Sequence, residues 1–246
     1  QIKDKILINF DDNTNDLVDY IVGADGLFSY TRSFFQNKKN IPKFNNAIAF
    51  RKILQSNHGL NIDEKNISLL MGSNTHIVIY PINKKNDLNL VCILREKEFK
   101  LDNIKQIIEK KILNQNPKLK DLFQDDLKSW PLYSSQKIIP SNNKNVFYVG
   151  DAFCGFLPTF AQGASQSIEG AFDLFNLLKE NNNDTYNIYF RRRSERAKLI
   201  KKRSNFNFFA FHISNPAIQA IRNMILKILV KRKTFMNSYL GKVYKN

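Results

Sequence analysis

Two short motifs in this chain combine glycine with side chains able to bind a ligand. The first runs from Asp19 to Arg32 and reads DYIVGADGLFSYTR. Its two glycines, Gly23 and Gly26, permit tight turns and a close approach of the backbone to a ligand. Asp25 could accept hydrogen bonds there, and Arg32 could meet a phosphate. Because an Asp-Gly pair is usually only a turn, the motif alone leaves the structural interpretation open.

The second motif runs from Val146 to Gly170 and reads VFYVGDAFCGFLPTFAQGASQSIEG. An apolar strand is predicted to end at Gly150 and Asp151, and ligands of open α/β sheets bind at the carboxyl ends of strands. A carboxylate at that place suits a ribose-like or ribityl hydroxyl. The alternative is a strand, a loop and a helix that only pack together.

The second half of this motif predicts an exposed helix start. Ala161-Gln162-Gly163-Ala164 opens an amphipathic helix directly after Leu157-Pro158-Thr159. The free N–H groups and the positive end of the helix dipole favour an anion or a polarised carbonyl. The small residues at positions 161, 163 and 164 would let a flat ring lie close to the backbone.

The apolar periodicity indicates the elements that must hold these motifs. Two hairpins are predicted, 4–10 with 17–23 and 75–82 with 87–94. Further strands are predicted at 46–54, 67–71 and 145–149, and helices at 102–113, 117–127, 163–179, 185–211 and 216–232. Runs of strands followed by a strand–loop–helix unit and more helices predict a mixed α/β protein.

Composition excludes several classes of protein. The chain has 246 residues, of which 43% are hydrophobic and 24% charged, so it is neither disordered throughout nor a disulfide-stapled miniature. Its two cysteines, Cys92 and Cys154, form no metal-binding spacing and fit a reducing cytosol. No segment reaches the roughly 20 apolar residues of a membrane-spanning helix. No secretory signal opens the chain. We therefore expect a cytoplasmic protein.

The net charge of +16 belongs almost wholly to the end of the chain. Residues 191–246 hold 15 Lys or Arg and one acid, Glu195, which gives +14, and the remainder carries +2. Such a segment can attract nucleic acid, anionic lipid or an acidic partner. The other interpretation is a solvated helix face in a chain rich in Lys and Asn.

The histidines predict no metal site, because no cysteine or carboxylate stands at ligand spacing from His58 or His76. His76 and Tyr80 fall on one face of a strand, where they either line a substrate pocket or simply pack. No Gly-x-Ser-x-Gly and no Walker lysine loop is present, so hydrolase and nucleotidase interpretations have no support.

Taken together, the motifs resemble those of the flavin-dependent aromatic hydroxylases, the single-component FAD monooxygenases of the salicylate- and para-hydroxybenzoate-hydroxylase type. The Asp-Gly motif of that family is matched at Asp25, Gly26, Ser29 and Arg32. Its Gly-Asp motif is matched at Gly150, Asp151, Leu157, Pro158 and Ala161–Ala164. The two separated motifs stand in the family's order, and the resemblance covers nearly the whole chain. The family also has a His-x-x-x-Tyr-Pro hairpin, which is similar to the segment from His76 to Pro81.

The resemblance implies the family's flavoprotein hydroxylase fold, with an FAD/NAD(P)-binding domain, a large β-sheet substrate domain and C-terminal helices. The residues it assigns to FAD are Asp25, Gly26, Arg32, Gly150, Asp151, Pro158, Gln162, Gly163 and Ala164. Within that set, Asp151 would contact the ribityl chain. Gly163 and Ala164 would offer N–H groups to the flavin N1–C2=O edge, beside Pro158. Asp25 and Arg32 would organise the pyrophosphate region and the path of NAD(P)H.

The implied reaction uses NADH or NADPH and O2 to hydroxylate an aromatic, phenolic or related ring through a flavin C4a-hydroperoxide. The resemblance assigns no catalytic base. A second interpretation keeps FAD but places a quinone-precursor hydroxylase, or another FAD-dependent oxidoreductase, at a membrane surface that the basic C-terminus touches. A remote third interpretation is a basic nucleic-acid-binding module. The resemblance to the hydroxylases, by contrast, implies no nucleic-acid partner.

The departures from the family pattern predict the domain organisation. The chain has no Gly-x-Gly, so we expect the βαβ unit that holds the ADP part of FAD to lie upstream, and the fragment alone to be inactive. The predicted domains are 1–33 and 138–180 for FAD, 34–137 for substrate, and 181–246 as basic helices. Ala152-Phe153-Cys154-Gly155 replaces the family's frequent Ala-Ala-His-Pro.

Overall fold

Two compact units make up the chain, each built from segments distant in sequence. Unit 1 comprises Gln1–Lys43, Tyr133–Asn207 and Gly241–Asn246, and unit 2 comprises Phe44–Leu132 and Phe208–Leu240. The computed structural model describes residues 5–54, 65–82, 87–98, 103–114, 116–123, 127–180 and 184–243.

Unit 1 begins with a hairpin of β1 (Ile6–Asn9) and β2 (Asn15–Val18), paired antiparallel. Asp12 shapes the turn, because its carboxylate accepts hydrogen bonds from the N–H and the hydroxyl of Thr14 at 2.9 and 2.6 Å. The hairpin expected from the sequence is thus confirmed, but its second strand is shorter. Residues Ile21–Gly23 form a separate strand, β3, that pairs elsewhere.

The partner of β3 is β9 (Val146–Tyr148), and the two strands run parallel, with Ile21 opposite Val146 and Gly23 opposite Tyr148. The helices of unit 1 are α1 (Tyr30–Phe35), α3 (Asp151–Cys154), α4 (Gly163–Lys179) and most of α5 (Thr185–Phe211). The three buried residues of β9 pack with Leu174 and Leu177 of α4 and Tyr189 of α5. This core fixes the ends of β3 and β9.

Unit 2 contains a five-stranded sheet within the described residues, in the order β5-β6-β7-β4-β8. Its strands are β4 (Lys43–Leu54), β5 (Ser68–Gly72), β6 (Thr75–Pro81), β7 (Leu88–Arg95) and β8 (Lys128–Ser134). The predicted hairpin of β6 and β7 is confirmed, and its register places His76 opposite Ile93. Its turn, 83–86, lies outside the described residues.

One face of this sheet is covered by α2 (Ile104–Ile108), a following π-helical turn (Glu109–Leu113) and a 3-10 helix (Pro117–Phe123). Ile108, Ile112 and Leu122 of these segments join Phe50, Ile77 and Leu90 of the sheet in one apolar core. The predicted helices 102–113 and 117–127 are therefore present in shorter forms, and residues 102 and 124–126 lie outside the described ones.

The C-terminal helices are α5, α6 (Pro216–Leu229) and α7 (Lys233–Tyr239). The bounds of α4 and α5 agree with the prediction, whereas α6 ends three residues earlier than expected and α7 was not predicted. Asn215 begins α6 by accepting hydrogen bonds from two N–H groups, at 3.0 and 3.2 Å. In the part of the chain that the structure describes, no helix combines the length and apolarity needed to cross a bilayer.

Candidate functional site

The two sequence motifs meet at one edge of the parallel pair β3–β9. The N–H of Val149 donates to the carbonyl of Gly23 at 3.0 Å, which continues the ladder to the last residue of β3. The chain then leaves β3 through the Asp25 loop and leaves β9 through Gly150 and Asp151. Both loops therefore start at the carboxyl ends of adjacent parallel strands, the usual position of a ligand site in α/β folds.

Hydrogen bonds inside the first loop fix Asp25. One carboxylate oxygen accepts from the Ser29 hydroxyl at 2.6 Å, and the other accepts from the Thr31 N–H at 2.8 Å. Ser29 in turn caps α1 by accepting from the Arg32 N–H at 2.9 Å. Burial opposes ionisation of Asp25, but the bonds from Ser29 and Thr31 outweigh it and hold its pKa below the usual value. Asp25 therefore organises the loop as a carboxylate.

Arg32 links the first motif to the second. Its side chain is buried, and Nη1 donates to the carbonyls of Ala152 and Phe153 at 2.9 and 3.2 Å. Nη2 contacts the amide oxygen of Asn40, whose Nδ2 donates to the Leu27 carbonyl at 2.8 Å. Burial lowers the pKa of this guanidinium. Arg32 thus positions the loop against α3, and the expected contact with a phosphate stays a prediction.

Gly150 is the sharpest backbone constraint of the site. Its φ of +59° and ψ of −138° form a conformation that only glycine adopts readily. A Cβ there would also lie 2.7 Å from the Ser167 hydroxyl of α4. Gly26 likewise has a positive φ, +78°, but has open space around it. The close approach of α4 to the end of β9 therefore requires glycine at position 150.

Asp151 differs from Asp25 in having no hydrogen-bond or ionic partner among the described residues. Its side chain is accessible to solvent, yet the surrounding protein atoms reduce its hydration and raise its pKa. An accessible carboxylate that the protein leaves unpaired at the end of a strand is available to accept hydrogen bonds from a ligand.

The start of α4 lies in the same motif and is also available to a ligand. The side chain of the N-cap residue, Gln162, makes no capping hydrogen bond, and the first turn holds no acid. Gly163 and Ala164 are exposed, and no atom lies within 4 Å of the place where a Cβ of Gly163 would stand. Exposed N–H groups at the positive end of a 17-residue helix bind an anion or a polarised carbonyl well.

The turn before α4 is held in place by α5. The Thr159 hydroxyl donates to the Ser204 carbonyl at 2.6 Å, and Nδ2 of Asn207 donates to the Thr159 carbonyl at 2.9 Å. Pro158 is left exposed, while Gln162 is buried and receives a hydrogen bond of 3.4 Å from Gln166. The loop therefore presents Pro158 to solvent from a fixed backbone.

A buried polar network behind the start of α4 escaped the sequence analysis. Arg193 of α5 donates to Glu169 and to the Gln166 side chain, both at 2.8 Å. Arg196 also pairs with Glu169, at 3.1 Å. The signal in the sequence was a basic helix following a helix with the acids Glu169 and Asp173. These bonds hold the first turns of α4 against α5.

Much of the basic charge of α5 is used inside unit 1. Besides Arg193 and Arg196, Arg192 pairs with Asp173 at 3.2 Å. Lys201 donates to the carbonyls of Ser135 and Gln136 at 2.7 and 2.6 Å. These four cations are therefore bonded within unit 1, whereas Arg191, Lys198 and Lys202 of the same helix are exposed.

The remaining special residues of the second motif are structural. Cys154 is buried, which raises the pKa of its thiol to about 11, so it is an unreactive thiol at neutral pH. Gly155 exchanges hydrogen bonds with Ser135, donating to its hydroxyl at 2.9 Å and accepting from its N–H at 3.0 Å. Within the described residues, no group of His, Cys, Asp and Glu is arranged to hold a metal ion.

In unit 2, His76 is buried in a ring cluster. Its Nδ1 lies 3.1 Å from Nε2 of His212, whose own Nδ1 lies 2.6 Å from the Phe208 carbonyl. Burial, and secondarily His212, lowers the pKa of His76 to about 3, so its imidazole is neutral. Tyr80, on the same strand, is half-buried opposite Asn89. His76 packs in this structure, and the contact of either residue with a substrate stays a prediction.

Comparisons with known proteins identify the relatives of this chain. Over residues 18–233 the chain matches the family described as SE: Squalene epoxidase. It is 23% identical to the FAD-dependent monooxygenase eupB of Phoma sp, over 72% of this chain and 44% of that protein. It is 22% identical to a salicylate hydroxylase of Pseudomonas putida, over 93% of this chain and 60% of that protein.

The fold matches that of solved FAD-binding hydroxylases. The crystal structure of Klebsiella pneumoniae HpxO complexed with FAD and uric acid superposes with a TM-score of 0.80 at 13% identity, covering 99% of this chain and 64% of that one. The chain spans 44% and 60% of the lengths of the two relatives named above. Because the family match covers most of its residues, the chain belongs to the squalene epoxidase family.

Proposed function

We propose that this chain forms the greater part of an FAD-dependent monooxygenase that uses NAD(P)H and O2 to hydroxylate an aromatic, phenolic or related ring. One observation carries the proposal. The Asp25 loop, the unpaired Asp151 and the uncapped start of α4 all come after the carboxyl ends of one parallel strand pair. The relatives named as FAD-dependent monooxygenase and salicylate hydroxylase support the same chemistry.

The residues present fit FAD in their chemistry. Asp151 is accessible and lacks a partner among the described residues, so it can accept hydrogen bonds from the ribityl hydroxyls. The N–H groups of Gly163 and Ala164 are exposed at the positive end of α4 and would favour negative charge at the flavin N1–C2=O edge. The open space at Gly163 would admit a flat ring, with Pro158 beside it.

FAD, when bound, would supply the redox chemistry, because it accepts electrons from NAD(P)H and activates O2. The chain supplies the position and the electrostatic environment. Arg32 fixes the Asp25 loop to α3, and the Gln166–Glu169–Arg193 network fixes the start of α4, so the groups proposed to meet the flavin are held before it binds. Asp25 and Gly26 would then lie near the pyrophosphate.

The test uses the protein encoded by the full reading frame. We expect it to purify yellow, with the absorbance of bound FAD, and to consume NAD(P)H in the presence of a phenolic substrate. Asp151→Ala should weaken FAD binding about tenfold or more, since it removes charge-assisted hydrogen bonds. The matched control is Asp11→Ala, at an exposed acid in the β1–β2 turn, which should leave affinity unchanged. A colourless wild-type protein that takes up no FAD would refute the proposal.

A second candidate function keeps FAD but places the protein at a membrane surface, acting on a quinone precursor or a related apolar ring. The observation that favours it is the exposed apolar side of α6, followed by basic residues. A cytoplasmic protein that binds the membrane peripherally is consistent with both candidates. Hydroxylation of a phenol carrying a long alkyl chain, compared with the same ring without it, separates them: preference for the unsubstituted ring favours the first.

A further inference from the structure

A cleft of about 550 Å³ lies at one end of the strands of the sheet in unit 2. The start of β4, the turn between β5 and β6 and the end of β7 meet there and contribute Asn46, Asn74 and Arg95. Lys111, from the π-helical turn, and Phe208 line the same space. We call it the Arg95 cleft. None of its lining residues belongs to the set that the motifs assign to FAD.

Backbone hydrogen bonds fix the segments that form the cleft. The N–H of Arg95 donates to the Asn74 carbonyl at 2.8 Å, and the N–H of Glu96 donates to the Asn46 carbonyl at 2.9 Å. Both asparagines have a positive φ, +50° at Asn46 and +56° at Asn74, which asparagine adopts more readily than most residues. The cleft is therefore part of the hydrogen-bonded frame of the sheet and exists before a ligand binds.

Arg95 combines a fixed position with unused hydrogen-bond donors. Its guanidinium carbon lies 5.1 Å from the centre of the buried Phe208 ring, in a cation–π contact. Such a contact uses the positive charge but provides no acceptor oxygen for the N–H groups. Among the residues that the structure describes, the Arg95 side chain has no hydrogen bond and no acidic partner. Its N–H donors form a planar fork that suits the paired oxygens of a carboxylate or a phosphate.

The charges around the cleft favour an anion. Its acidic residue, Glu96, is already bonded, because Oε1 accepts from the Lys97 N–H at 2.9 Å and Oε2 accepts from Nζ of Lys111 at 2.5 Å. Burial opposes ionisation of Glu96, but these bonds outweigh it and lower its pKa, so Lys111 neutralises a carboxylate. The guanidinium of Arg95 and the ammonium group of Lys97 keep no acidic partner in the described parts of the chain. Two such cations beside one cleft attract an anion.

The remaining lining residues favour a polar ligand of small size. The amide groups of Asn46 and Asn74 offer donors and acceptors to hydroxyl groups. Phe208 is the apolar side chain among the described lining residues, and Arg95 lies over its ring. A purely apolar ring would desolvate Arg95 without pairing it, which is unfavourable. The volume falls within the range of small-molecule sites.

We propose that the Arg95 cleft binds a small polar organic anion, whose phosphate or carboxylate group pairs with the Arg95 guanidinium and the Lys97 ammonium group. Hydroxyl groups of the same ligand would bond to the amides of Asn46 and Asn74. This site shares no residue with the proposed FAD site and does not depend on the proposed reaction, so either proposal can fail alone.

Isothermal titration calorimetry of the full protein at low ionic strength measures the binding. The probes are ribose 5-phosphate and citrate, and ribose is the uncharged control. One of the two anions or both should bind at least about tenfold more tightly than ribose, because charge-assisted hydrogen bonds form only with the anions. A preference for ribose 5-phosphate would identify a phosphorylated ligand, and a preference for citrate a polycarboxylate. If neither anion binds more tightly than ribose, the proposal is refuted.

Charge-removing variants assign the binding to the cleft. Arg95→Gln should weaken binding of the preferred anion about tenfold or more. Lys97→Gln should weaken it about fivefold, as befits a more exposed charge. The matched control, Arg191→Gln, removes the same charge from an exposed arginine of α5 and should leave the affinity unchanged. Equal losses in Arg95→Gln and Arg191→Gln would show a nonspecific effect of net charge and overturn the assignment.

Glu96→Gln is a gain-of-affinity variant that guards against misfolding as the explanation. The amide oxygen of the new side chain can still accept a hydrogen bond, whereas the negative charge is lost and Lys111 becomes available to the ligand. The anion should therefore bind about fivefold more tightly, a result that a misfolded protein cannot give. The matched control is Glu180→Gln, at an exposed acid just after α4, which should bind like wild type. Unchanged or weaker binding by Glu96→Gln would contradict an anion in the Arg95 cleft.

Discussion

At the scale of residues, Arg32 and Asp151 show two opposite uses of charge at one site. Both lie in the matched motifs, yet Arg32 is buried and its guanidinium is bonded to the protein, whereas Asp151 is accessible and has no partner in the described parts of the chain. Motif matching assigned both to FAD. Burial and bonding distinguish a residue that holds the site together from one that is available to the ligand.

This distinction predicts a stability effect at Arg32. Arg32→Ala removes the donors for the carbonyls of Ala152 and Phe153 in a buried place, so we expect a loss of about 3 kcal/mol in the free energy of unfolding. Arg191→Ala, at an exposed arginine of α5, should change it by less than about 0.5 kcal/mol. Urea denaturation followed by circular dichroism measures both. Similar midpoints for the two variants would argue against a positioning role for Arg32.

At the scale of elements, local sequence patterns predicted the helices and the hairpin, because these depend on contacts between residues close in sequence. The bounds of α4 and α5 followed from helical periodicity, and the β6–β7 hairpin from two apolar runs with a polar turn. The pairing of β3 with β9 could not be derived that way, since contacts such as Arg32 to Ala152 join residues 120 positions apart. Helical periodicity likewise identified α6 but not which side of the helix faces the protein. On that side the buried Arg222 donates to the Ala210 carbonyl.

The junction of β9 with α3 and α4 yields a paired prediction on two glycines. Gly150→Ala should destabilise the protein by about 2–4 kcal/mol, because it combines a disfavoured φ with a Cβ placed 2.7 Å from the Ser167 hydroxyl. Gly163→Ala meets neither obstacle and should leave the thermal midpoint unchanged or slightly higher.

Gly163→Ala should impair FAD binding although it leaves the stability of the protein intact. Its added methyl group occupies the open space at the start of α4, so we expect weaker flavin binding in a protein of full stability. Flavin fluorescence titration measures this affinity. If Gly163→Ala binds FAD as tightly as wild type, the ring does not lie over that helix start, although FAD can still be bound elsewhere in the motif.

At the scale of the whole molecule, the strong positive charge is divided between side chains that bond inside the protein and side chains that are exposed. In α5, Arg193 and Lys201 bond inward and stabilise unit 1, while Lys231–Lys233 after α6 point to solvent. The sequence showed the total of +16 and its location, but not this division, because pairing depends on which helix packs beside which. Net charge alone therefore does not show which of these cations are available to a partner.

The buried histidine pair should make global stability depend on pH. Burial, and secondarily His212, lowers the pKa of His76 from 6.5 to about 3, and burial also lowers the pKa of His212. Below pH 6.5 the unfolded chain therefore binds protons that the folded chain does not, and the free energy of unfolding falls as the pH falls.

The slope should be on the order of 1 kcal/mol per pH unit for each such proton between pH 6 and 5. The lowered pKa values of Asp25 and Glu96 act only at lower pH, and the raised pKa of Asp151 opposes the trend, because the folded chain takes up that proton first. Urea midpoints at pH 7, 6 and 5 measure the slope, and the double variant His76→Gln with His212→Gln should flatten it. An equal slope in that variant would mean that acid destabilisation arises from the repulsion among the surface cations instead.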